Sequence, residues 1–493
     1  MTWRYLQAAV TAGTSLFTAA FALRALGPAE YGIFALVVSI SGFLALFDFG
    51  LSLTVIRASA VEEGGTAAVR KSARDDIRAA SAACFAIGGV ALCVVGVLTL
   101  FLPGVVPVSS SSRGEVRATV FLLGLGIVVF IATSAFNGIV YGRRQFGVIT
   151  LASAAGAAVN VCAVVILVRP LHLPSLAIGQ LAGILVTRGS LAIWLVRNVT
   201  WFRLRPTRPS LAPLRRVFSS ALPLVMITVA GQFIVATDLV ILGAVTTAAS
   251  VGLYRVGSVV PYQAVQILYQ GYDILFPSLA ATSDLREQTD TARFLSRIAT
   301  YAAAVIFGLM IFLREDVVLL FVGRHAPLAA NVLAIFSVVW LVNVSVHGLA
   351  LLLIARDLQR LQARLILIEI LVNVVFTFLL VWLFGPVGAA TGSLIAVMLS
   401  HWVILPRKVD KELRVPLGTE MLRDALMATG TGLAVVALPC AALASLPPSL
   451  DRMLLGGSIT PLLAGAVGAA LLGREGRRRL IVVLRRATTT TAG

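Results

Sequence analysis

The sequence predicts an all-α polytopic membrane protein with about fourteen transmembrane helices. The chain has 493 residues, of which 59% are hydrophobic and only 13% are charged, and its mean hydropathy is +0.96. Soluble globular domains carry about 25% charged residues, so the composition excludes them. The apolar residues also occur in runs of about 20, which is the length that a helix needs to cross a bilayer.

Fourteen such runs are separated by charged residues or by Pro and Gly. The predicted spans are 5–26, 33–56, 79–102, 116–140, 148–168, 174–196, 217–245, 252–281, 298–313, 327–354, 365–384, 386–405, 425–446 and 453–472. Only Arg4 precedes the first run, and no small-residue cleavage site follows it, so we predict a retained helix and not a signal peptide. The segments between the runs are predicted to be connecting loops.

The positions of the arginines and lysines predict the orientation in the membrane. With a cytoplasmic N-terminus, 31 of the 40 cations fall in inner segments and six in outer loops. Because short cytoplasmic loops carry an excess of Lys and Arg, both termini are predicted to be cytoplasmic. The net charge of +18 then reflects topology and anionic headgroups, and not binding to nucleic acid.

Two segments of the chain share one spacing, in which an arginine lies 17 residues before an asparagine that lies 19 before a glycine. The two sets, offset by 213, are Arg143, Asn160 and Gly179, and Arg356, Asn373 and Gly392. At an offset of 220, YGIFALV at 31–37 aligns with VGLYRVG at 251–257. Six helices per copy would place both copies the same way up, which predicts two six-helix pseudo-repeats with a substrate site between them.

The repeat predicts five parts of the chain. They are an N-terminal six-helix bundle at 1–200, a cytoplasmic linker at 201–216, a C-terminal six-helix bundle at 217–405, two additional transmembrane helices at 406–472, and a basic cytoplasmic tail at 473–493.

The eighth predicted span carries a stripe of polar side chains. Arg255, Tyr262, Gln266 and Asp273 are separated by 7, 4 and 7 residues. At about 100° per residue, the last returns to the azimuth of the first. The stripe predicts a polar path through the membrane.

Further ionisable residues lie in other predicted spans, namely Asp48, His347 and Glu369. An ionisable side chain at the bilayer centre costs about 2.5–3.5 kcal/mol, so each is expected to face a cavity or a partner. Two interpretations stay open for the carboxylates, because each could carry a coupling ion or pair with an arginine. His347 is likewise either a proton carrier or a packing residue.

No enzyme, metal or cofactor motif occurs in the sequence. The nearest phosphate-loop pattern, GTAAVRKS at 65–72, has Arg70 where the glycine before the lysine is required. The four cysteines lie in apolar runs without paired spacing. We therefore predict a protein that is not an enzyme and that has no cofactor and no metal.

The segment from Leu23 to Arg57, LRALGPAEYGIFALVVSISGFLALFDFGLSLTVIR, resembles the first hairpin of bacterial polysaccharide-transport proteins, the Wzx-type oligosaccharide (O-antigen) flippases. Those proteins show an Arg-x-Leu-Gly-Pro-x-x-Tyr-Gly turn and an Asp-x-Gly-Leu-Ser motif. The matching residues are Arg24, Leu26, Gly27, Pro28, Tyr31, Gly32, Asp48, Gly50, Leu51 and Ser52. The family belongs to the multidrug/oligosaccharidyl-lipid/polysaccharide (MOP) superfamily, which also holds lipid II flippases and multidrug-and-toxin (MATE) exporters.

The resemblance implies a function in surface polysaccharide biosynthesis. An undecaprenyl-diphosphate-linked oligosaccharide would cross from the cytoplasmic to the outer leaflet of the bacterial cytoplasmic membrane by alternating access. A polysaccharide polymerase and glycosyltransferases of the same pathway would be partners. The alternatives are a lipid II flippase and a MATE-type cation-coupled drug exporter.

The predicted roles of the site residues follow from the chemistry of that substrate. Guanidinium forks suit a diphosphate, so Arg24, Arg57 and Arg255 are predicted to bind it. For Arg24 and Arg57, which lie near helix ends, snorkelling to the headgroups is the other interpretation. The predicted glycan path is Tyr262, Gln266 and Asp273. The candidates for ion coupling, by proton or sodium, are Asp48, Asp273, His347 and Glu369.

Overall fold

The helices of this chain account for nearly all of its described structure. A computed structural model describes residues 2–44, 50–64, 66–105, 113–203, 213, 236–281, 284–356 and 358–489. No β-strand occurs in these ranges. Nine helices within them are long and apolar enough to cross a membrane. The prediction of an all-α, multi-pass membrane protein is confirmed.

The chain forms two compact units, Thr2–Gly252 and Leu253–Gly493. The helices that begin in the first unit are α1 (Thr2–Gly42), α2 (Leu51–Gly64), α3 (Ala67–Val105), α4 (Arg113–Ala132), α5 (Ser134–Gly142), α6 (Phe146–Leu171), α7 (Leu173–Asn198), α8 (Ala236–Val245) and α9 (Ala248–Ala281). Most of α9 belongs to the second unit.

The remaining helices of the second unit include one stretch with π-helical hydrogen bonding. They are α10 (Leu285–Phe312), α11 (Arg314–Val322), α12 (Pro327–Ala355), α13 (Gln359–Val397), the π-helix Met398–Ile404, α14 (Leu405–Leu413), α15 (Leu417–Leu443) and α16 (Leu450–Thr489).

Several helices extend beyond the predicted spans into segments predicted to be loops. α3 begins at Ala67 instead of 79, and α10 begins at Leu285 instead of 298. The prediction that these segments are loops was wrong, because hydropathy detects only the apolar part of a helix. A charged helix end keeps its backbone hydrogen bonds and presents its side chains to water. The apolar runs 79–102 and 298–313 therefore correspond to the later parts of longer helices.

Within α1, and again within α13, two predicted spans are joined by one non-helical glycine. Gly27 (φ 82°, ψ 168°) breaks α1 immediately before Pro28, and Gly385 (φ 59°, ψ −140°) breaks α13 immediately before Pro386. Glycine adopts a positive φ without steric penalty, and proline is tolerated in the first turn of a helix. The turn suggested by the Gly-Pro-x-x-Tyr-Gly motif is thus confined to Gly27, and Tyr31 is already helical.

The glycines aligned at an offset of 220 contact each other within the first unit. A Cβ atom added to Gly32 would lie 1.7 Å from the carbonyl oxygen of Ala248, and one added to Gly252 would lie 2.2 Å from that of Pro28. The backbones of α1 and the start of α9 are therefore in direct contact, which no residue with a side chain permits in this geometry.

The positions aligned at an offset of 213 also share a packing contact. A Cβ on Gly179 would lie 2.6 Å from Cγ2 of Val164, and one on Gly392 would lie 2.5 Å from the backbone nitrogen of Thr377. Val164 and Thr377 are themselves separated by 213 residues. The same two positions are thus in contact in each copy of the repeated spacing.

Ion pairs attach the last two helices to the rest of the second unit at both ends of α10. Near the start of α10, Arg293 Nε donates to Asp424 Oδ2 of α15 at 3.0 Å. Arg297 Nη2 donates to Oδ1 of the same carboxylate at 2.6 Å. Just beyond the end of α10, Asp316 lies 3.3 Å from Arg452 Nη2 of α16 and accepts the backbone N–H of Ser449 at 2.8 Å.

Replacing Gly252 with alanine should destabilise the protein, because its Cβ would overlap the Pro28 carbonyl. Overpacking of this kind costs about 1–3 kcal/mol. The measurement is the midpoint of heat-induced aggregation of the detergent-solubilised protein. Gly13→Ala is the matched control, since nothing lies within 4 Å of a Cβ added there. A G252A midpoint equal to that of the control would contradict the backbone contact.

Replacing Asp316 with alanine should destabilise the protein more strongly. The Asp316 side chain is 0% exposed and that of Arg452 is 14% exposed, so the substitution strands a buried guanidinium. Loss of one partner from a buried pair costs about 3–5 kcal/mol, whereas exposed pairs contribute about 0–1 kcal/mol. The exposed pair of Asp75 with Arg78 supplies the control Asp75→Ala. Equal shifts in the aggregation midpoint would show that the Asp316 pair contributes no more than a surface pair.

Candidate functional site

The predicted polar stripe lies on α9, which is continuous from Ala248 to Ala281. The side chains of Arg255, Tyr262 and Gln266 are all half-buried. The Asp273 side chain lies outside the described atoms. No ion pair with Arg255 is found in the part of the chain that the structure describes.

Aromatic contacts join this stripe to α12 within the second unit. The Tyr262 and Trp340 ring centroids are 5.6 Å apart, and those of Tyr269 and His347 are 4.2 Å apart in a stacked arrangement. Both partners advance by seven residues, so α9 and α12 run parallel and bring one face of each helix together. His347 also meets the Tyr272 ring edge-on at 4.8 Å. His347 is thus a packed residue of an aromatic cluster.

Glu369, Asn373 and Thr377 are spaced four residues apart on one face of α13, and this face packs against the segment that follows Gly385. Asn373 Nδ2 donates to Ser393 Oγ at 2.9 Å, and Thr377 is completely buried. Glu369 is only 5% exposed. The Asn and Thr therefore serve as interhelical contacts, which is their common use in membrane helices.

Glu369 pairs with a histidine, and not with the arginine considered in the sequence analysis. His401 Nδ1 lies 3.5 Å from Glu369 Oε2, and the Ser400 hydroxyl also lies beside the carboxylate. His401 is in the π-helix Met398–Ile404, a type of turn that is frequent at functional sites. Sequence reasoning missed His401. The available signal was symmetry about the turn, since Glu369 and His401 each lie 16 residues from Gly385.

The other predicted site residues lie in the first unit. Arg24 is on α1 three residues before the break at Gly27, Arg57 is on α2, and both side chains are exposed. Asp48 lies outside the described residues. The structure therefore groups the predicted residues of the second unit around α9, α12 and α13 and gives no such cluster for Arg24 and Arg57.

Two further charged groups of the first unit were not among the predicted site residues. Arg188, near the middle of α7, is only 8% exposed, and its guanidinium lies 4.4 Å from the centroid of the Phe130 ring. Glu62, on α2, accepts from Arg143 at 2.6 Å and from Arg74 at 2.9 Å. Glu62 thus joins α2 to α3 and to the basic turn after α5.

The side chains of these groups can bind a ligand through ion pairs and hydrogen bonds. No group of three or more His, Cys, Asp or Glu side chains that could hold a metal occurs in the described ranges. The second unit instead offers a guanidinium, an amide and phenol groups on α9, with a buried Glu–His pair on the adjoining helices.

Comparison with protein families places more than half of the chain in one family. A family model described as polysaccharide biosynthesis protein matches residues 3–283. A putative O-antigen transporter from Shigella flexneri is 23% identical over 134 residues. That alignment covers 27% of this chain and 30% of the length of the relative.

Solved structures of MOP-superfamily transporters share the fold. The lipid II flippase MurJ in an inward closed conformation superposes with a TM-score of 0.73 at 14% identity, covering 97% of this chain and 99% of MurJ. An inward-facing multidrug resistance MATE transporter gives a TM-score of 0.59 at 15% identity, covering 83% of this chain and 96% of that protein. At these identities the likeness establishes the fold alone.

The matched family model, the multi-pass helical structure and the MOP transporter fold agree with one another. The chain belongs to the polysaccharide biosynthesis protein family.

Proposed function

We propose that the protein is a flippase for an undecaprenyl-diphosphate-linked oligosaccharide. The substrate would pass from the cytoplasmic to the outer leaflet of the bacterial cytoplasmic membrane by alternating access. The family assignment and the MOP fold support this class of activity. The observation that carries the substrate class is Arg255, a half-buried arginine with no ion pair among the described residues.

The physical reason is the chemistry of a diphosphate. Arginine presents five donors in a planar fork that matches phosphate oxygens, and it stays charged under all conditions in which proteins fold. An arginine within a predicted membrane span is a functional-site hypothesis by default, because insertion of its charge without a partner is costly. Tyr262 and Gln266, on the same face of α9, supply hydroxyl and amide groups suited to a glycan.

Arg24 and Arg57 enter the proposal as additional contacts to the diphosphate, and Asp273 as part of the glycan path. Glu369, His347, Asp273 and Asp48 remain the proposed ion-coupling residues. A polysaccharide polymerase and glycosyltransferases of the same pathway are the proposed partners, because a flipped oligosaccharide must be made on one side and consumed on the other.

Replacing Arg255 with alanine should abolish most surface polysaccharide in cells whose only copy is the variant. Hydrogen bonds to charged groups contribute about 1.5–3 kcal/mol, which corresponds to about 10- to 100-fold in affinity. Arg255→Lys should give an intermediate output, since it keeps the charge and loses the fork. The measurement is polymer on the cell surface at matched levels of membrane protein.

The control is Arg169→Ala, which removes an exposed arginine at the end of α6 and should leave polymer output unchanged. Normal polymer in R255A cells, at normal protein level, would contradict the proposed diphosphate contact.

Lipid II is the second candidate substrate, because it also carries a polyprenyl diphosphate and the fold is shared with a lipid II flippase over nearly the whole chain. Expression in cells depleted of their lipid II flippase distinguishes the two. Rescue of growth would favour lipid II. A gain of drug resistance without any effect on polymer would favour a MATE-type exporter.

A further inference from the structure

Glu369 and His401 form an acid–base pair inside the apolar stretch Arg360–Leu413. At about 1.5 Å per residue, each lies about 24 Å along its helix from Gly385. The carboxylate is 6% exposed and the imidazole 19% exposed. Water therefore has little access to either group in this arrangement.

A pair in this environment holds one proton. An ionised carboxylate beside a neutral imidazole would leave a net negative charge in an apolar medium, which is costly. One added proton makes the pair neutral overall, whether it resides on Oε2 or on Nδ1. A second proton would create a net positive charge. Neutrality thus favours a single proton in the closed arrangement.

The helices α9 and α12 carry further ionisable side chains beside the pair, and these also bear on how many protons it can hold. His347 of α12 is an ionisable group on the adjoining helix. Its ring is stacked on that of Tyr269 of α9, with the centroids 4.2 Å apart. These are the titratable groups that face the pair from the two adjoining helices, together with Tyr272 against the His347 ring. The cluster accordingly tolerates one cationic imidazole better than two.

The π-helix provides a way to separate the pair. In Met398–Ile404, the backbone N–H of Leu405 bonds to the carbonyl of Ser400, five residues earlier. The indole of Trp402 holds this segment to α12 by donating to Ser345 Oγ at 3.0 Å. A return to α-helical bonding would shift the register by one residue and rotate one side by about 100°. Such a rotation turns the imidazole of His401 away from Glu369.

We propose that Glu369 and His401 are a proton-binding site, closed by the π-helix, that couples proton movement to transport. When the pair is separated in water at neutral pH, the carboxyl is ionised and the imidazole is mostly neutral. Closing the pair therefore takes up one proton and opening it releases one. Around neutral pH, lowering the pH therefore favours the closed pair and raising the pH favours the open one. The coupling role rests on the proposed flippase function, whereas the proton site does not.

The site is tested first without any substrate. The chain has four histidines, so the full-length protein labelled with 15N-histidine in liposomes gives few imidazole signals, and His401→Gln identifies the one of interest. We expect Glu369→Gln to change the pH dependence of the His401 imidazole signal, since the carboxylate that lies 3.5 Å from Nδ1 is lost. Glu412→Gln, an exposed carboxyl on α14, is the matched control. A His401 signal that titrates identically in E369Q, or not at all, overturns the proton site.

The coupling is tested by flipping of undecaprenyl-diphosphate-linked oligosaccharide in proteoliposomes, with and without an imposed pH gradient. We expect the gradient to accelerate the wild type and to have no effect on E369Q or H401Q, compared with the rate of each variant without a gradient. His325→Gln, in the turn before α12, should respond like the wild type. Acceleration retained in E369Q overturns the coupling role. Absence of flipping by the wild type contradicts the proposed function and leaves the proton-site result standing.

Discussion

The cost of a charge in hydrocarbon determines where the ionisable side chains of this protein lie. Four buried carboxylates of the described structure meet a cation or an imidazole. Glu62 and Asp424 each lie between two arginines. Asp316 pairs with one arginine, and Glu369 pairs with His401. Against this pattern Arg255 differs, because its charge is retained on a half-buried helix face without such a pair in the described residues.

Close approach of helices is the second requirement of the fold. In a membrane, helices gain no hydrophobic driving force from meeting each other, so tight packing through small residues has to supply the attraction. The contacts of Gly32 with the start of α9, and of Gly392 with the part of α13 that precedes Gly385, are backbone contacts of this kind. Gly179 and Gly392, which are aligned at an offset of 213, both pack closely against the helix segment before them.

Sequence reasoning succeeded where one physical variable decided the outcome. Hydropathy alone predicts the membrane class, and helical phase alone predicts that Glu369, Asn373 and Thr377 share one face. It failed where two variables compete. The charged starts of α3 and α10 are helical although they are polar, and His401 reaches Glu369 through a π-turn that shifts the helical phase. The predicted roles of Arg24, Arg57 and Asp273 depend on a ligand, which no pattern of spacing contains.

The ion pairs that attach α15 and α16 near the two ends of α10 determine where a spectroscopic label can be placed. Asp424 holds α15 near the start of α10, and Asp316 holds Arg452 of α16 just beyond the end of α10, so each of the two helices is attached by an ion pair of its own. The C-terminal helices consequently travel with the second unit. A fluorophore or spin label placed on α15 reports the movement of that unit, without introducing a probe near the polar face of α9.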